Sequence, residues 1–245
     1  MESSTTARAK AVAMAVAAGT ALLVLRAVAH AAEPDGTRLI TLGTQGGPML
    51  NSTRAQPANL LTVNGTQYLI DAGNGVARQL ALAHVPIGGI GRIFITHNHD
   101  DHNADWGTLM GLEWSLGRTE PIEVYGPRGT ESMLLAFEQY FATNVANRNF
   151  QKARSTPPAA VFVAHDILKD GPVYEDANIK VTALENCHYH YVEGQPGQGW
   201  QKSYALRGMG RCVDAAAAIA TPDMTPTLRQ RANCAGRCVR IIGTP

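Results

Sequence analysis

The 245-residue chain is poor in charge, in cysteine and in aromatic side chains. Charged residues make up 17% and aromatic residues 6%, against 45% hydrophobic residues. So little charge beside so much apolar surface excludes an intrinsically disordered chain. Acidic and basic side chains nearly cancel, at 20 against 21. A net charge of +1 gives no broad pull on a polyanion, so no nucleic-acid partner is expected and a small-molecule substrate is. Four cysteines are too few to staple a chain of this length. Beyond residue 25 no apolar run approaches the roughly 20 residues that a spanning helix needs. The last histidine is His190, and from Arg207 onward the chain has no Lys, Glu, His or aromatic residue.

What is present begins with an address. Residues 1–10 are polar and carry Arg8 and Lys10, and an Ala/Val/Leu-rich run follows from Ala11 to Leu25. Arg26 ends that run, and Ala29-His30-Ala31 supplies an A-x-A pattern. This is the layout of a secretory signal peptide, so residues 1–31 are expected to be removed and the product to be secreted or periplasmic. Contact with a membrane is expected only if that segment stays uncleaved, and an oligomer is left open.

The remaining length suits one or two domains with a real core. Strands are expected over 38–44, 59–63, 67–70, 92–96, 122–125, 160–164 and 179–184. Asn64-Gly65 is a hairpin turn signal, since both residues tolerate positive φ. Helices are expected over 75–83, 105–116 and 130–143, the last capped by Thr130. The stretch 144–158, polar and basic and ending in Pro157-Pro158, reads as a loop. Strands alternate with helices, so the class is α/β, and the hairpins make the sheets mixed.

The chemistry concentrates in Thr96-His97-Asn98-His99-Asp100-Asp101-His102. Three histidines and two carboxylates sit within six residues at the end of an apolar strand. Neutral imidazole and carboxylate are ligands for zinc and similar ions. Strand geometry places His97 and His99 on one side, because alternate side chains share a face. A turn after His99 can bring Asp101 and His102 to an adjacent point, so one short loop can serve two metals.

His97-Asn98-His99-Asp100-Asp101-His102 resembles the H-x-H-x-D-H motif of the metallo-β-lactamase fold hydrolases. Leu69-Ile70-Asp71-Ala72-Gly73 is similar to the Asp-bearing strand end that precedes the motif in that superfamily. The loop after Leu42-Gly43-Thr44 and the segment Leu184-Glu185-Asn186-Cys187-His188 also fall where the family has them. Within the superfamily the chain looks closest to the ribonuclease Z-like and arylsulfatase-like branch. The resemblance implies an αββα sandwich with mixed sheets over residues 32–206. It also implies two zinc ions. His97, His99 and His188 would hold the first, with His190 as the alternative to His188. Asp101 and His102 would help hold the second. Asp71 would orient the motif loop from behind the ligands, as metal-bound histidines require. Asp101 would also be the catalytic residue, accepting a proton beside a metal-activated water, whose pKa falls to about 7. Such chemistry hydrolyses esters, phosphodiesters or sulfate esters.

The family pattern then breaks. Complete members carry a bridging Asp and a late His after the position of His188, and neither has an equivalent here. Only Asp214 and Asp223 are acidic after Arg207, without a Gly-Asp-Thr setting. The second half of the fold is therefore expected to be incomplete. Residues 207–245 form an atypical, poorly ordered tail with the Ala, Arg, Pro and Cys bias of GC-rich DNA read out of frame. Two readings stand: a metal-dependent hydrolase, or an impaired remnant that binds one metal or none.

Overall fold

The computed structural model describes residues 36–151, 156–186, 188–189 and 201–210. The leader at 1–31, His190 and the tail beyond 210 lie outside the described residues.

A six-stranded sheet is built in the order β1 (Thr37–Gly43), β2 (Ala58–Val63), β3 (Thr66–Ile70), β4 (Ile90–Phe94), β5 (Ile122–Pro127) and β6 (Phe162–Ile167). The Asn64-Gly65 turn forms as expected, with Asn64 at φ 48°, and joins β2 to β3 antiparallel. From β3 to β6 the strands run parallel. The crossovers carry α1 (Val76–Leu82), α2 (Asp100–Asn103), α3 (Trp106–Ser115) and α4 (Thr130–Phe150). A second, antiparallel sheet holds β7 (Gly171–Glu175), β8 (Ile179–Asn186) and β9 (Ser203–Gly210).

Alternation along the strands creates two cores. Leu60, Leu69, Ile93 and Val124 face the helices, where Leu80, Leu109, Met110 and Trp114 are fully buried. Leu61, Tyr68, Phe94 and Tyr125 face the other way and pack on Ile179, Val181, Ala183 and Tyr204 of the second sheet. Among the described residues this gives a helix layer and two sheets, three layers of the mixed αββα sandwich. No described helix is long and apolar enough to cross a membrane.

Several local expectations need correction. α4 runs to Phe150, so the first half of the expected loop is helix. Gly129 rather than Thr130 occupies its N-cap, and the Thr130 hydroxyl instead donates to the Pro127 carbonyl at 2.7 Å. β7 and β9 were not anticipated, and β9 places residues 207–210 in a strand. Its pairing with β8 extends to Ile179 opposite Gly210.

Candidate metal centre

The site lies where β3 and β4 end side by side. Asp71 follows β3 directly and Thr96 lies two residues past β4, and crevices at the carboxyl ends of parallel strands are where such folds place ligands. The chain leaves β4, bends at Thr96, is extended at His99 (φ −80° and ψ 146°) and enters the short helix α2. The His97 and His99 rings lie 4.8 Å apart, and the helical turn brings His102, with Asp101, back beside His97.

His97, His99 and His188 each offer a ring nitrogen, and these atoms lie within 4.8 Å of one another. His188 Nε2 is 3.1 Å from His99 Nδ1. The His97 and His188 rings are 4.2 Å apart. His97 is buried, His188 half-buried and His99 exposed, so the cup opens to solvent on one side. His102 lies beside the cup, its ring tilted 48° to that of His97 with the centroids 4.0 Å apart. Asp101 Oδ2 lies 3.6 Å from His102 Nε2.

Asp71 organises this loop from beneath. It is buried and held at φ 58°, a left-handed conformation that Asp tolerates better than most residues. Its Oδ1 accepts the Thr96 N–H at 2.8 Å. The Thr96 hydroxyl donates to the same carboxylate at 3.0 Å. Asp71 Oδ2 pairs with His102 Nδ1 at 2.8 Å. Thr96 Oγ1 also lies 3.0 Å from His97 Nδ1. A hydroxyl has one proton, and here the carboxylate takes it, so Oγ1 accepts from a protonated Nδ1. This network assigns the tautomer of His97 and leaves a lone pair on Nε2.

That lone pair is the test of whether a metal fits. His97 Nε2 is buried and has no hydrogen-bond partner. An orphaned polar atom in a protein interior is costly, and a cation satisfies it. Burial first, and then the neighbouring imidazoles of His102, His188 and His99, push the His97 pKa down to about 2, so the ring is in the neutral form that binds metal. Burial also lowers His102, but its hydrogen bond to Asp71 and the charges of Asp71 and Asp101 outweigh this and raise it. His97, His99 and His188 therefore fit a divalent ion, while Asp101 and His102 present a neighbouring pair of donors.

Supports that sequence reasoning missed come from the loop after β1. Gly47 N–H donates to Asp101 Oδ2 at 2.6 Å. The buried Gln56 holds that loop, donating to the Gly47 carbonyl at 3.2 Å and accepting the Asn74 N–H at 3.0 Å. A Cβ at Gly73 would fall 2.1 Å from the Asp101 carbonyl oxygen, so only glycine lets the strand end approach the motif this closely. Thr96 was also missed, although a hydroxyl directly before the first histidine is a legible sign of an orienting partner. Among the other histidines, His84 is exposed after α1, and His165 lies in β6, stacked 4.4 Å from Tyr125.

A family model described as a beta-lactamase superfamily domain matches residues 66–234. The chain belongs to the metallo-β-lactamase superfamily. The match to this superfamily continues past residue 207, where the composition changes. The ribonuclease Z of Mycobacterium sp. (strain KMS) is 29% identical over 151 residues, 61% of this chain and 52% of that protein. The ribonuclease Z of Mycobacterium avium (strain 104) is 28% identical over 152 residues, 61% of this chain and 54% of that protein. The chain thus spans about half the length of the curated relatives it matches. The crystal structure of human tRNase Z, short form, superposes with a TM-score of 0.53 at 22% identity, covering 71% of this chain and 64% of that one. That likeness shows the metallo-β-lactamase fold, and the relatives put the resemblance in the ribonuclease Z branch.

The mycobacterial ribonuclease Z relatives overturn the expectation of a small-molecule substrate without nucleic acid. The error has a physical origin. Net charge sums over the whole surface, whereas a metal ion can itself be the largest local charge in a site.

Proposed function

We propose that the protein is a metal-dependent hydrolase that cleaves phosphodiester bonds in RNA. The observation that carries this reading is the convergence of three histidine nitrogens within 4.8 Å of one another, with a buried His97 Nε2 that has no hydrogen-bond partner. The ribonuclease Z relatives supply the choice of RNA. Zinc suits a set of imidazole donors. His97, His99 and His188 hold the first ion, and Asp101 with His102 contribute to a second. When bound, the metal supplies a water acidic enough to attack at neutral pH and a positive charge for the phosphoryl group.

The chain's own residues do the rest. Asp71 fixes the His102 ring through Nδ1, and through Thr96 it fixes His97. Asp101, tethered by the Gly47 N–H, stands beside the cup and accepts the proton of the attacking water. The N-terminal leader gives the activity an extracytoplasmic place, which N-terminal sequencing of the mature protein would check.

The full chain, loaded with zinc, should cleave labelled RNA and bis(p-nitrophenyl) phosphate. Chelation should abolish both reactions, and His97→Ala should lower them at least a hundredfold. A second reading is an impaired remnant, since Asp101 and His102 alone among the described residues present donors beside the three-histidine cup. Zinc binding without turnover of either substrate would select the remnant.

A further inference from the structure

The third ligand and the two-histidine motif come from segments some ninety residues apart in the chain, and one side chain ties them together. Tyr189 directly follows His188. Its phenol oxygen accepts the backbone N–H of Asn98, the residue between His97 and His99, at 3.0 Å. The Tyr189 ring lies 5.0 Å from the His99 ring at 89° and 5.9 Å from that of His97. Asn186 Oδ1, at the end of β8, accepts the His188 N–H at 3.0 Å and so ties the His188 backbone to that strand.

The motif loop needs such an anchor. β4 ends at Phe94, and past Thr96 no strand ladder holds the backbone among the described residues. The Asn98 side chain is turned elsewhere, donating to the Arg128 carbonyl at 3.1 Å and to Gln201 Oε1 at 3.3 Å. Asp71 fixes the loop before His97, and Tyr189 fixes it between the two ligands. We propose that Tyr189 is a positioning residue of the metal centre, stapling the segment that delivers His188 to the loop that delivers His97 and His99. The proposal rests on the reading of these three histidines as metal ligands. It places the staple in the hydroxyl, because a phenyl ring would keep the packing and lose the acceptor.

The test is zinc titration of the full chain against a chromophoric chelator, for the unmutated protein, Tyr189→Phe and His188→Ala. Partners that orient metal ligands are each worth about 10- to 100-fold in affinity. Tyr189→Phe should weaken zinc binding by about tenfold and should alter the visible spectrum of the cobalt-substituted protein, which reports ligand geometry. Its metal-free melting temperature should stay close to that of the unmutated chain, which separates positioning from general stability. An affinity within twofold of the unmutated protein, with the same cobalt spectrum, overturns the proposal. If His188→Ala also binds zinc as the unmutated chain does, the ligand reading fails and the staple with it. Should Tyr189→Phe not fold, amide exchange in the unmutated protein decides. The Asn98 amide should be protected, and exchange at the free-peptide rate overturns the staple.

Discussion

Asp71 shows how much one side chain can fix. Its two oxygens receive the Thr96 amide, the Thr96 hydroxyl and His102 Nδ1, so both inner histidines take their orientation from it. Asn at this position keeps the shape but turns an amide N–H₂ toward one of three donors. Asp71→Asn should therefore weaken zinc binding about 10- to 100-fold while the fold persists, as read by zinc titration beside a far-ultraviolet spectrum. A second buried carboxyl lies outside the histidine cluster. Glu113 is buried, with Oε1 unpartnered and Oε2 bonded to Arg118 Nη1 at 2.9 Å. Burial pushes its pKa up to about 8, and Arg118 only partly offsets this. Between its ordinary value of 4.5 and 8 the unfolded chain has released a proton that the folded chain retains. Stability is then full below 4.5 and falls as pH rises through that window. Denaturant midpoints of metal-free protein from pH 5 to 8 should fall more steeply for the unmutated chain than for Glu113→Gln.

At the scale of elements, the site was more legible than its frame. The strand into the histidine motif, the Asn64-Gly65 hairpin and the Asp71 strand end could all be read, because each rests on local periodicity or turn chemistry. β7 was hidden because Pro172 sits in it, and proline is tolerated there only because β7 is an edge strand. β9 carries Gly208 and Gly210, which read as loop, and its pairing with β8 supplies what the local sequence does not. α4 was cut short at its polar Asn-rich end, yet nothing there breaks a helix before Pro157. Its start is satisfied from outside. Asp166, on β6, accepts the Gly129 N–H at 3.1 Å and the Glu131 N–H at 3.0 Å. That partner is invisible in the sequence, being 35 or more residues away. Asp166→Ala removes both acceptors and should destabilise the protein by about 1 kcal/mol in equilibrium denaturation, the usual worth of an N-terminal cap.

For the whole molecule, two sums misled and one pattern did not. Net charge near zero says nothing about a local cluster such as His97, His99 and His188. Overall length hid the fact that about half of each curated relative has a counterpart here. The histidine motif is independent of both totals, and the structure brings His97 and His99 together with His188. The tail from 211 holds Cys212, Cys234 and Cys238, so a thiolate site is the natural rival to the histidine cup. Zinc-edge X-ray absorption on the full chain separates the two most directly. Imidazole nitrogens at about 2.0–2.1 Å are expected, with no sulfur scattering near 2.3 Å. Sulfur in the coordination shell, or a chain that retains no zinc, would contradict the centre built from His97, His99 and His188.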